Sequence, residues 1–480
     1  MPSASGQPKT VIWWVRRDLR LTDNQALHAA LSAGERLVPV FIIDPAWMDP
    51  PAPLRQGFLW AGLRQLDADL RARGSRLILR EGRPAQALSQ LVAETGAQAI
   101  FAEEDYHPYA LQRDREVRDL LPVEWVPGLT VHHPTEVTKG DGSPYTIFTP
   151  FSWAWRALPL PPSADLLPAP GDLPVPPGEL SSLAFPPDRT PAAFPAGESE
   201  ARRRLVAFTS GPILKYAEAR DQLSAEGTSL LSPYLRFGMI SARQAVVAAQ
   251  QAAASAPTAA DRQGAGAWLN ELIWREFYNA ILYHFPDVLQ HAFRADLRDI
   301  SWADDAQAFA AWQSGQTGYP VVDAAMRQLR QTGWMHNRAR MIAASFLVKD
   351  LLLNWQLGES WFMECLVDGD PAANNGGWQW TAGVGTDAAP YFRVFNPVLQ
   401  GQKFDPEGIY VRRWVPELAH VPSPLIHAPW RMPQDMQQKL GCIVGRDYPA
   451  PCIDHQWARQ RTLRAYRQGR DYYGQRSEEK

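Results

Sequence analysis

Residues 11–44 read VIWWVRRDLRLTDNQALHAALSAGERLVPVFIID and set the fold class of the first part of the chain. Two short apolar runs, VIWWV and RLVPVFII, flank a segment with helical spacing, and the same alternation continues to about residue 156. Alternating strands and helices are typical of a parallel sheet with helices on both faces, where ligands bind beyond the carboxyl ends of the strands. The pattern therefore predicts a doubly wound α/β domain.

Proline marks the end of this domain. Residues 158–197 contain LPLPPSADLLPAPGDLPVPPGEL, and proline removes backbone donors and blocks both helix and central strand. Beyond this connector, segments such as GAWLNELIWREFYNAILYHF have helical spacing, and no convincing alternating strand follows. We expect an α/β domain over residues 8–157, a linker over 158–197 and an almost entirely helical domain over 198–480.

The composition excludes several classes of protein. A net charge of −3 over 480 residues gives no global attraction to nucleic acid, so DNA binding would need a local basic surface. Three scattered cysteines do not make a disulfide framework or a zinc site and favour a reducing compartment. The N-terminus lacks a signal-peptide core, and no apolar run approaches the ~20 residues of a membrane helix. We expect a cytoplasmic protein without membrane association or bound metal.

A turn rich in hydroxyl groups lies in EGTSLLSPYLRFG, residues 226–238. Thr228, Ser229 and Ser232 precede Pro233, which predicts a helix with Ser232 as its N-cap and Pro233 as its first residue. The donors at such a terminus suit a diphosphate. On these residues alone, plain helix capping is the more common interpretation.

Two further helical segments carry polar residues in unusual combinations. In LNELIWREFY, Glu271, Trp274 and Arg275 share one helix face, which is either a surface ion pair beside an indole or a functional face. In the segment WMHNRARM, Arg338 can reach a phosphate. Arg340, if it turns inward, needs a carboxylate partner, and Asp368 or Asp370 could provide one.

The segment DGDPAANNGGWQWTAGVGTDAAPYFRVFNP, residues 368–397, has no ordinary core pattern. Asn374, Asn375, Gly376 and Gly377 predict a tight turn, because these residues tolerate positive φ. The same residues would let the backbone approach a planar cofactor, and an asparagine amide can both donate to and accept from the polar atoms of such a ring.

This segment resembles the flavin-binding signature of the DNA photolyase/cryptochrome family, and motifs in the same order extend the resemblance from about residue 11 to 430. It implies a Rossmann-like antenna domain, an all-α FAD-binding domain and light-driven repair, in which reduced FAD passes an electron to a flipped cyclobutane pyrimidine dimer. Met341 and the WQW pair resemble the class I dimer photolyases. The alternative is a cryptochrome photoreceptor with little repair activity, but the chain has no long polar C-terminal extension of the signalling kind.

The resemblance also assigns FAD-binding residues. It implies that Arg340 pairs with Asp368 beside the flavin, that Asp370 meets the pyrimidine edge or ribityl chain, and that Asn374 faces flavin N5. The full set implied for FAD is Tyr216, Thr228, Ser229, Leu230, Leu231, Ser232, Trp268, Glu271, Arg275, Asn337, Arg340, Asp368, Asp370 and Asn374.

Catalysis and DNA binding draw on a second set. By resemblance, Trp378, Trp355 and Trp302 form an electron path from flavin to surface, whereas the residues alone would place all three in the core. Glu271 would hydrogen-bond the dimer, and Trp274 and Trp380 would line its cavity. The residues implied for DNA are Arg220, Glu271, Trp274, Asn337, Arg338, Met341, Trp380, Gln400 and Lys403. We expect a monomer whose partner is DNA containing pyrimidine dimers.

A second chromophore is expected in the first domain. The acid and amide pair typical of a folate site is not visible near Tyr109 and Ala110, so folate is disfavoured. Asp44, Arg55 and Asp105 resemble a deazaflavin-type pocket, although a lysine expected from the second domain is missing. We rank a deazaflavin or FMN first, with an empty site as the alternative.

Overall fold

The computed structural model describes residues 8–48, 51–187 and 193–478. The chain forms two compact units. The first consists of Met1–Ala217 and Ser229–Pro286, and the second of Glu218–Thr228 and Asp287–Lys480.

A five-stranded parallel sheet forms the centre of the first unit. Its order is β3-β2-β1-β4-β5, so the winding reverses at β1, as in a doubly wound sheet. Every residue of β1 is buried, because helices cover both faces. The α/β prediction is confirmed. The strands are β1 (Thr10–Val15), β2 (Arg36–Ile43), β3 (Ile78–Glu81), β4 (Ala99–Glu103) and β5 (Val123–Val126).

The crossover helices begin with clear local signals. Asn24 caps the first helix by accepting from the Leu27 amide, and Pro53, Pro84 and Pro108 are the first residues of three longer helices. The helices before residue 158 are α1 (Gln25–Ala33), α2 (Pro45–Met48), α3 (Pro53–Arg71), α4 (Pro84–Thr95), α5 (Pro108–Arg118) and α6 (Phe148–Ala157). In the described part of the proline-rich stretch, the single regular element is a 3-10 turn, Ser163–Asp165.

From residue 198 onward the described chain is helical and contributes no strand to a sheet, which confirms the all-α prediction. A short π-helix, Phe346–Asp350, follows one of the helices directly, and five 3-10 turns lie in the connections. The α-helices are α7 (Glu198–Thr209), α8 (Tyr216–Ala219), α9 (Ser232–Arg236), α10 (Ala242–Ala254), α11 (Ala259–His284), α12 (Ala306–Ser314), α13 (Pro320–Thr332), α14 (Asn337–Ser345), α15 (Trp355–Cys365), α16 (Pro371–Ala382), α17 (Pro397–Phe404), α18 (Ile409–Trp414), α19 (Ser423–Ile426), α20 (Gln434–Leu440) and α21 (His455–Glu478).

Glu276 fixes the long helix α11 within the first unit. Its buried carboxylate accepts a hydrogen bond from the Val131 amide at 2.5 Å and another from the Trp155 indole of α6 at 2.5 Å. Burial raises the pKa of Glu276, and these bonds oppose the shift. The rotation of α11 about its axis is therefore set against α6 and the loop after β5.

Two kinds of feature are absent from the described residues. None of the helices there has both the length and the apolar composition needed to cross a membrane. No group of three or more His, Cys, Asp or Glu side chains in the same residues is arranged to hold a metal ion.

Candidate functional site

The hydroxyl-rich turn has an unusual backbone. Leu230 adopts a φ of 53°, a region that leucine rarely enters and that here reorients the backbone just before α9. Ser232 is the first helical residue, and Leu231 occupies the N-cap. The prediction that Ser232 is the N-cap is therefore wrong by one position. A leucine side chain cannot accept a hydrogen bond, so the N-cap side chain leaves the first-turn amides uncapped.

Tyr216 and Trp268 lie against one shared ring in the first unit. Phe208 of α7 makes an edge contact with Tyr216 at 5.9 Å and a tilted contact with Trp268 at 5.2 Å. Both residues are almost fully buried. The structure thus brings together two predicted FAD residues that are 52 positions apart, through an aromatic residue that the sequence did not single out.

The predicted mixed face of α11 is present, with Glu271, Trp274 and Arg275 all partly exposed. Trp274 stacks on Phe148 of α6, with ring centroids 3.7 Å apart and planes 5° apart. Arg275 donates from Nη1 to the Leu129 carbonyl at 3.0 Å. Phe148 was missed in the sequence, because nothing in FTPF marks it as the partner of a residue 126 positions later.

The predicted pairing of Arg340 with Asp368 is confirmed in the second unit. Arg340 Nη2 donates to Asp368 Oδ2 at 2.7 Å, and the Arg340 Nε donates to the Met335 carbonyl at 2.8 Å. The Asp368 side chain is only 2% exposed. A buried charge pair of this kind fixes the geometry of both groups, since separating them would strand a charge out of water.

His336 lies among the arginines of the same region. Its pKa is lowered to about 4, first by burial and then by the positive charges of Arg338, Arg340 and Arg220, against the opposing effect of Asp221. The imidazole is therefore neutral near pH 7, and Nδ1 accepts from the Arg338 amide at 3.2 Å. Its Nε2 is buried without a hydrogen-bond partner among the described residues.

Two predicted phosphate-binding residues lie on one aromatic ring. The Arg338 guanidinium is 4.5 Å from the ring centre of Phe404, and the Lys403 ammonium is 5.2 Å from it. Arg338 also donates from Nη2 to Asp221 at 2.8 Å, an ion pair that the sequence did not suggest. Because that pair occupies Nε and Nη2, Arg338 retains further donors for a phosphate.

The segment predicted as a tight turn is helical. Asp370 is the N-cap of α16 and accepts from the Ala372 and Ala373 amides, and Pro371 begins the helix. Asn374 and Asn375 lie in its second turn, and Gly376 and Gly377 follow within the helix. The turn prediction is wrong because the cap and the proline start a helix that overrides the local preference of asparagine and glycine.

Side chains of α16 bind the neighbouring helix α15. Asn374 donates from Nδ2 to the Glu359 carbonyl at 3.0 Å, and Asn375 donates from Nδ2 to Glu359 Oε1 at 3.0 Å and to the Val288 carbonyl at 2.9 Å. Burial raises the pKa of Glu359 to about 7, and the bond from Asn375 lowers it. An ionisable carboxyl group thus accepts a hydrogen bond from Asn375, the residue next to Asn374, which is predicted to face flavin N5.

All three tryptophans of the predicted electron path belong to the hydrophobic core of the second unit. Trp378 and Trp355 are buried, and Trp302 packs against the same core. Trp302 contacts the ring of Tyr466 edge-on at 6.0 Å. Trp378 contacts Trp312 edge-on at 6.1 Å, a fully buried indole that the sequence analysis did not consider.

The other predicted DNA residues occupy accessible positions of the second unit. Asn337 is exposed at the first position of α14, and Met341 lies one turn further along. Trp380 and Gln400 are partly exposed, on α16 and α17.

Polar residues gather at the carboxyl ends of β1, β2 and β4, where the sheet order reverses. Asp44 directly follows β2 and accepts a hydrogen bond from the Tyr109 hydroxyl of α5. Asp105 accepts from Arg17 Nη1 at 3.2 Å. Burial alone would raise the pKa of Asp105, but Arg17, Arg16 and Arg113 together hold it below its ordinary value. Two of the predicted antenna residues thus lie where such sheets bind ligands.

The third antenna residue, Arg55, is partly exposed on α3. The sequence also gave no sign of an aromatic and arginine stack beside this edge. The Arg16 guanidinium lies 5.0 Å from the rings of both Trp14 and Trp125, and Arg113 lies 5.0 Å from Trp14.

The donor set fits FAD. A diphosphate needs N–H and O–H donors, and the turn at Leu230 has backbone amides and the hydroxyl groups of Ser229 and Ser232. A flavin ring needs donors and acceptors along its edge, which the Arg340–Asp368 pair and the neutral His336, with its buried Nε2, can supply.

Two family models match the chain. The model for DNA photolyase matches residues 11–171, and the model for the FAD binding domain of DNA photolyase matches residues 268–468. The second match contains Glu271, Arg340, Asp368 and Asn374.

Relatives match over almost the whole length. The curated deoxyribodipyrimidine photo-lyase of Agrobacterium fabrum is 40% identical over 476 residues, covering 95% of this chain and 97% of that protein. A solved bacterial class III photolyase from Agrobacterium tumefaciens has a TM-score of 0.91 at 38% identity, covering 98% of this chain and 99% of that one. A solved cryptochrome from Synechocystis has a TM-score of 0.88 at 31% identity, covering 96% and 100%. The chain therefore belongs to the DNA photolyase family, with its FAD-binding domain.

Proposed function

We propose that this protein splits cyclobutane pyrimidine dimers in DNA back to two pyrimidines, using one electron from light-excited, fully reduced FAD. Light-dependent DNA repair is the function of this chain, because curated relatives at about 40% identity over nearly their full length are deoxyribodipyrimidine photo-lyases. The observation that most directly supports dimer splitting is the face of α11. On this face Glu271 lies one turn before Trp274, and Phe148 fixes the indole of Trp274.

FAD supplies the electron and absorbs the light. The residues proposed for FAD are, in the first unit, the turn at Ser229–Ser232 with Tyr216, Trp268, Glu271 and Arg275 and, in the second unit, Thr228, Asn337, Arg340, Asp368, Asp370 and Asn374. Asp370 caps α16 through one carboxylate oxygen, and the same side chain is the one proposed for the ribityl chain or the pyrimidine edge.

The residues proposed to contact damaged DNA have different chemical roles. Glu271 offers a hydrogen bond to the dimer, and Trp274, Trp380 and Met341 supply apolar surface for the two linked pyrimidines that have left the stack. Arg338 and Lys403, held on Phe404, bind phosphates together with Arg220, Asn337 and Gln400, and position the DNA without reading its sequence. Trp378, Trp355 and Trp302 return electrons to oxidised FAD from the surface.

Several finer assignments belong to the same proposal. The class I subtype rests on Met341 and the WQW pair, while the solved Agrobacterium tumefaciens relative is a class III photolyase. A deazaflavin or FMN antenna is supported by Asp44 and Asp105 at the sheet edge, with Arg55 on α3. The domain division at residues 8–157, 158–197 and 198–480, a monomeric state and a cytoplasmic location remain predictions, the last supported by three free cysteines.

The decisive experiment uses purified, chemically reduced protein and an oligonucleotide with one thymine dimer. Dimer loss is followed in blue light and in darkness. We expect intact thymines to be restored in blue light and not in darkness. Bound FAD without repair under either condition would contradict the proposal and favour the photoreceptor function, which the similarity to the Synechocystis cryptochrome makes the main alternative.

A further inference from the structure

Trp153 of α6 is the most exposed large hydrophobic side chain of the described residues, at 69%. Tryptophan is the side chain that gains most from burial, so an indole left largely in water forgoes a large part of that stabilisation. A single exposed apolar side chain is ordinary on a protein surface, but tryptophan is enriched where proteins bind partners, so the neighbours of Trp153 decide its significance.

The position of Trp153 on α6 relates it to the proposed dimer site. One face of α6 packs on α11, where Phe148 stacks on Trp274 and Trp155 donates to Glu276. The exposed residues Thr149, Trp153 and Arg156 follow each other at helical spacing on the adjoining face. Trp153 lies five residues after Phe148, which is about 8 Å along the helix axis.

Arg156 connects this exposed face to α11. Its Nη2 donates to Asn270 Oδ1 at 2.9 Å, and Asn270 lies one helical turn before Trp274. Helical spacing places Trp153 next to Arg156 on α6 and Asn270 next to Trp274 on α11, and the Arg156–Asn270 bond joins the two pairs; we call these four residues the strip. Unpaired nucleic acid binds surfaces on which aromatic and cationic side chains alternate.

We propose that Trp153 stacks on a base of the undamaged strand that loses its partner when the dimer leaves the duplex, while Arg156 contacts a phosphate beside it. Extruding a dimer leaves two bases opposite it without partners, and stacking on an indole compensates for the lost pairing. This inference rests on the proposed dimer substrate and adds a contact to the opposite strand.

The test measures binding in darkness, separately from repair. The affinity of the wild type, Trp153→Ala and Trp153→Phe is compared on a dimer-containing duplex and on the same damaged strand alone, with 2-aminopurine opposite the dimer as a stacking probe. Trp457→Ala is the matched control, because Trp457 is 51% exposed on α21 and is not part of the strip.

Trp153→Ala is expected to weaken duplex binding about tenfold, to leave single-strand binding nearly unchanged and to abolish the change in 2-aminopurine emission. Trp153→Phe should restore most of the loss, and Trp457→Ala should resemble the wild type. Arg156→Gln should lower the salt slope of duplex binding by about one. Equal losses on both substrates, or no loss on the duplex, would overturn the proposal. If the wild type fails to repair in light, the proposed function fails, whereas the binding comparison still decides the role of Trp153.

Discussion

The backbone of Gly358 lies directly against the six-membered ring of Trp378, and a Cβ at this position would collide with the indole. Both residues are buried in the core of the second unit, so neither can move far. The absence of a side chain at residue 358 therefore sets the position of the indole that is proposed to stand first in the electron path.

Gly358→Ala is expected to displace Trp378, to destabilise the fold by about 1–3 kcal/mol and to slow photoreduction of oxidised FAD. Transient absorption and denaturant unfolding measure the two effects. Gly266→Ala on α11 is the matched control, because a Cβ there meets nothing within 4 Å. Photoreduction at the wild-type rate in the folded variant would contradict the proposed role of Trp378.

Trp302→Phe should slow photoreduction while sparing repair by pre-reduced protein, because phenylalanine is much harder to oxidise than tryptophan. Trp312→Phe provides the comparison: Trp312 contacts Trp378 but is not part of the proposed path, so its loss should lower stability and leave photoreduction in place. Stability falls because the Trp312 Nε1 bond to the Ala343 carbonyl, at 2.9 Å, is lost. If Trp312→Phe blocks photoreduction and Trp302→Phe does not, the path runs through Trp312.

Glu271→Ala is expected to reduce the quantum yield of repair more than the affinity for dimer DNA, because the carboxyl group is proposed to act on the dimer during splitting. Glu271→Gln should retain part of the yield, since an amide of the same length can also hydrogen-bond to the dimer. Repair under steady blue light and a dark binding titration give the two quantities. Parallel losses in yield and affinity would argue for a binding role alone.

Lys403→Gln should weaken DNA binding to damaged and undamaged duplexes alike and lower the salt slope by about one, as expected for a lost phosphate contact. Lys439→Gln is the control, because Lys439 is an exposed lysine of α20 whose ion pair with Asp435 spans 3.9 Å. Binding isotherms at several salt concentrations distinguish the two. An unchanged slope for Lys403→Gln would remove this residue from the DNA surface.

The pH dependence of stability should contain a contribution from Glu359. Its pKa in the folded protein, about 7, exceeds the ordinary 4.5, so the folded state binds more protons than the unfolded state between these values. The contribution of Glu359 to the free energy of unfolding therefore falls as the pH rises from about 4.5 to about 7. Glu359→Gln should remove this fall, measured by urea unfolding across the range. Profiles that coincide for variant and wild type would refute the shifted pKa.

Local patterns predicted the fold well. VIWWV and RLVPVFII form β1 and β2, and GAWLNELIWREFY, with its helical spacing, lies in α11. Both predictions succeeded because the spacing of apolar residues follows from which side chains each element buries. The asparagines and glycines at 374–377 misled the prediction, since Asp370 and Pro371 impose a helix from outside the four residues.

Contacts between distant residues could not be predicted in the same way. The need to neutralise a buried charge limited the partner of Arg340 to Asp368 or Asp370, and the family resemblance selected Asp368, which the structure confirms. The Phe148–Trp274 stack and the Arg338–Asp221 pair depend on how separate helices meet, which neither spacing nor composition encodes. The positive φ of Leu230 was equally hidden, because leucine gives no sign of it.

The anchoring of α11 by Glu276 has a consequence for how the gene can vary. One inserted residue within this helix would turn everything beyond it by about 100°. An insertion between Glu271 and Glu276 would swing the catalytic face away from α6 while the Glu276 carboxylate still held the loop after β5. Insertions and deletions should therefore be tolerated on either side of α11 and eliminated by selection inside it. The number of residues in this helix is thus expected to stay constant as the protein evolves.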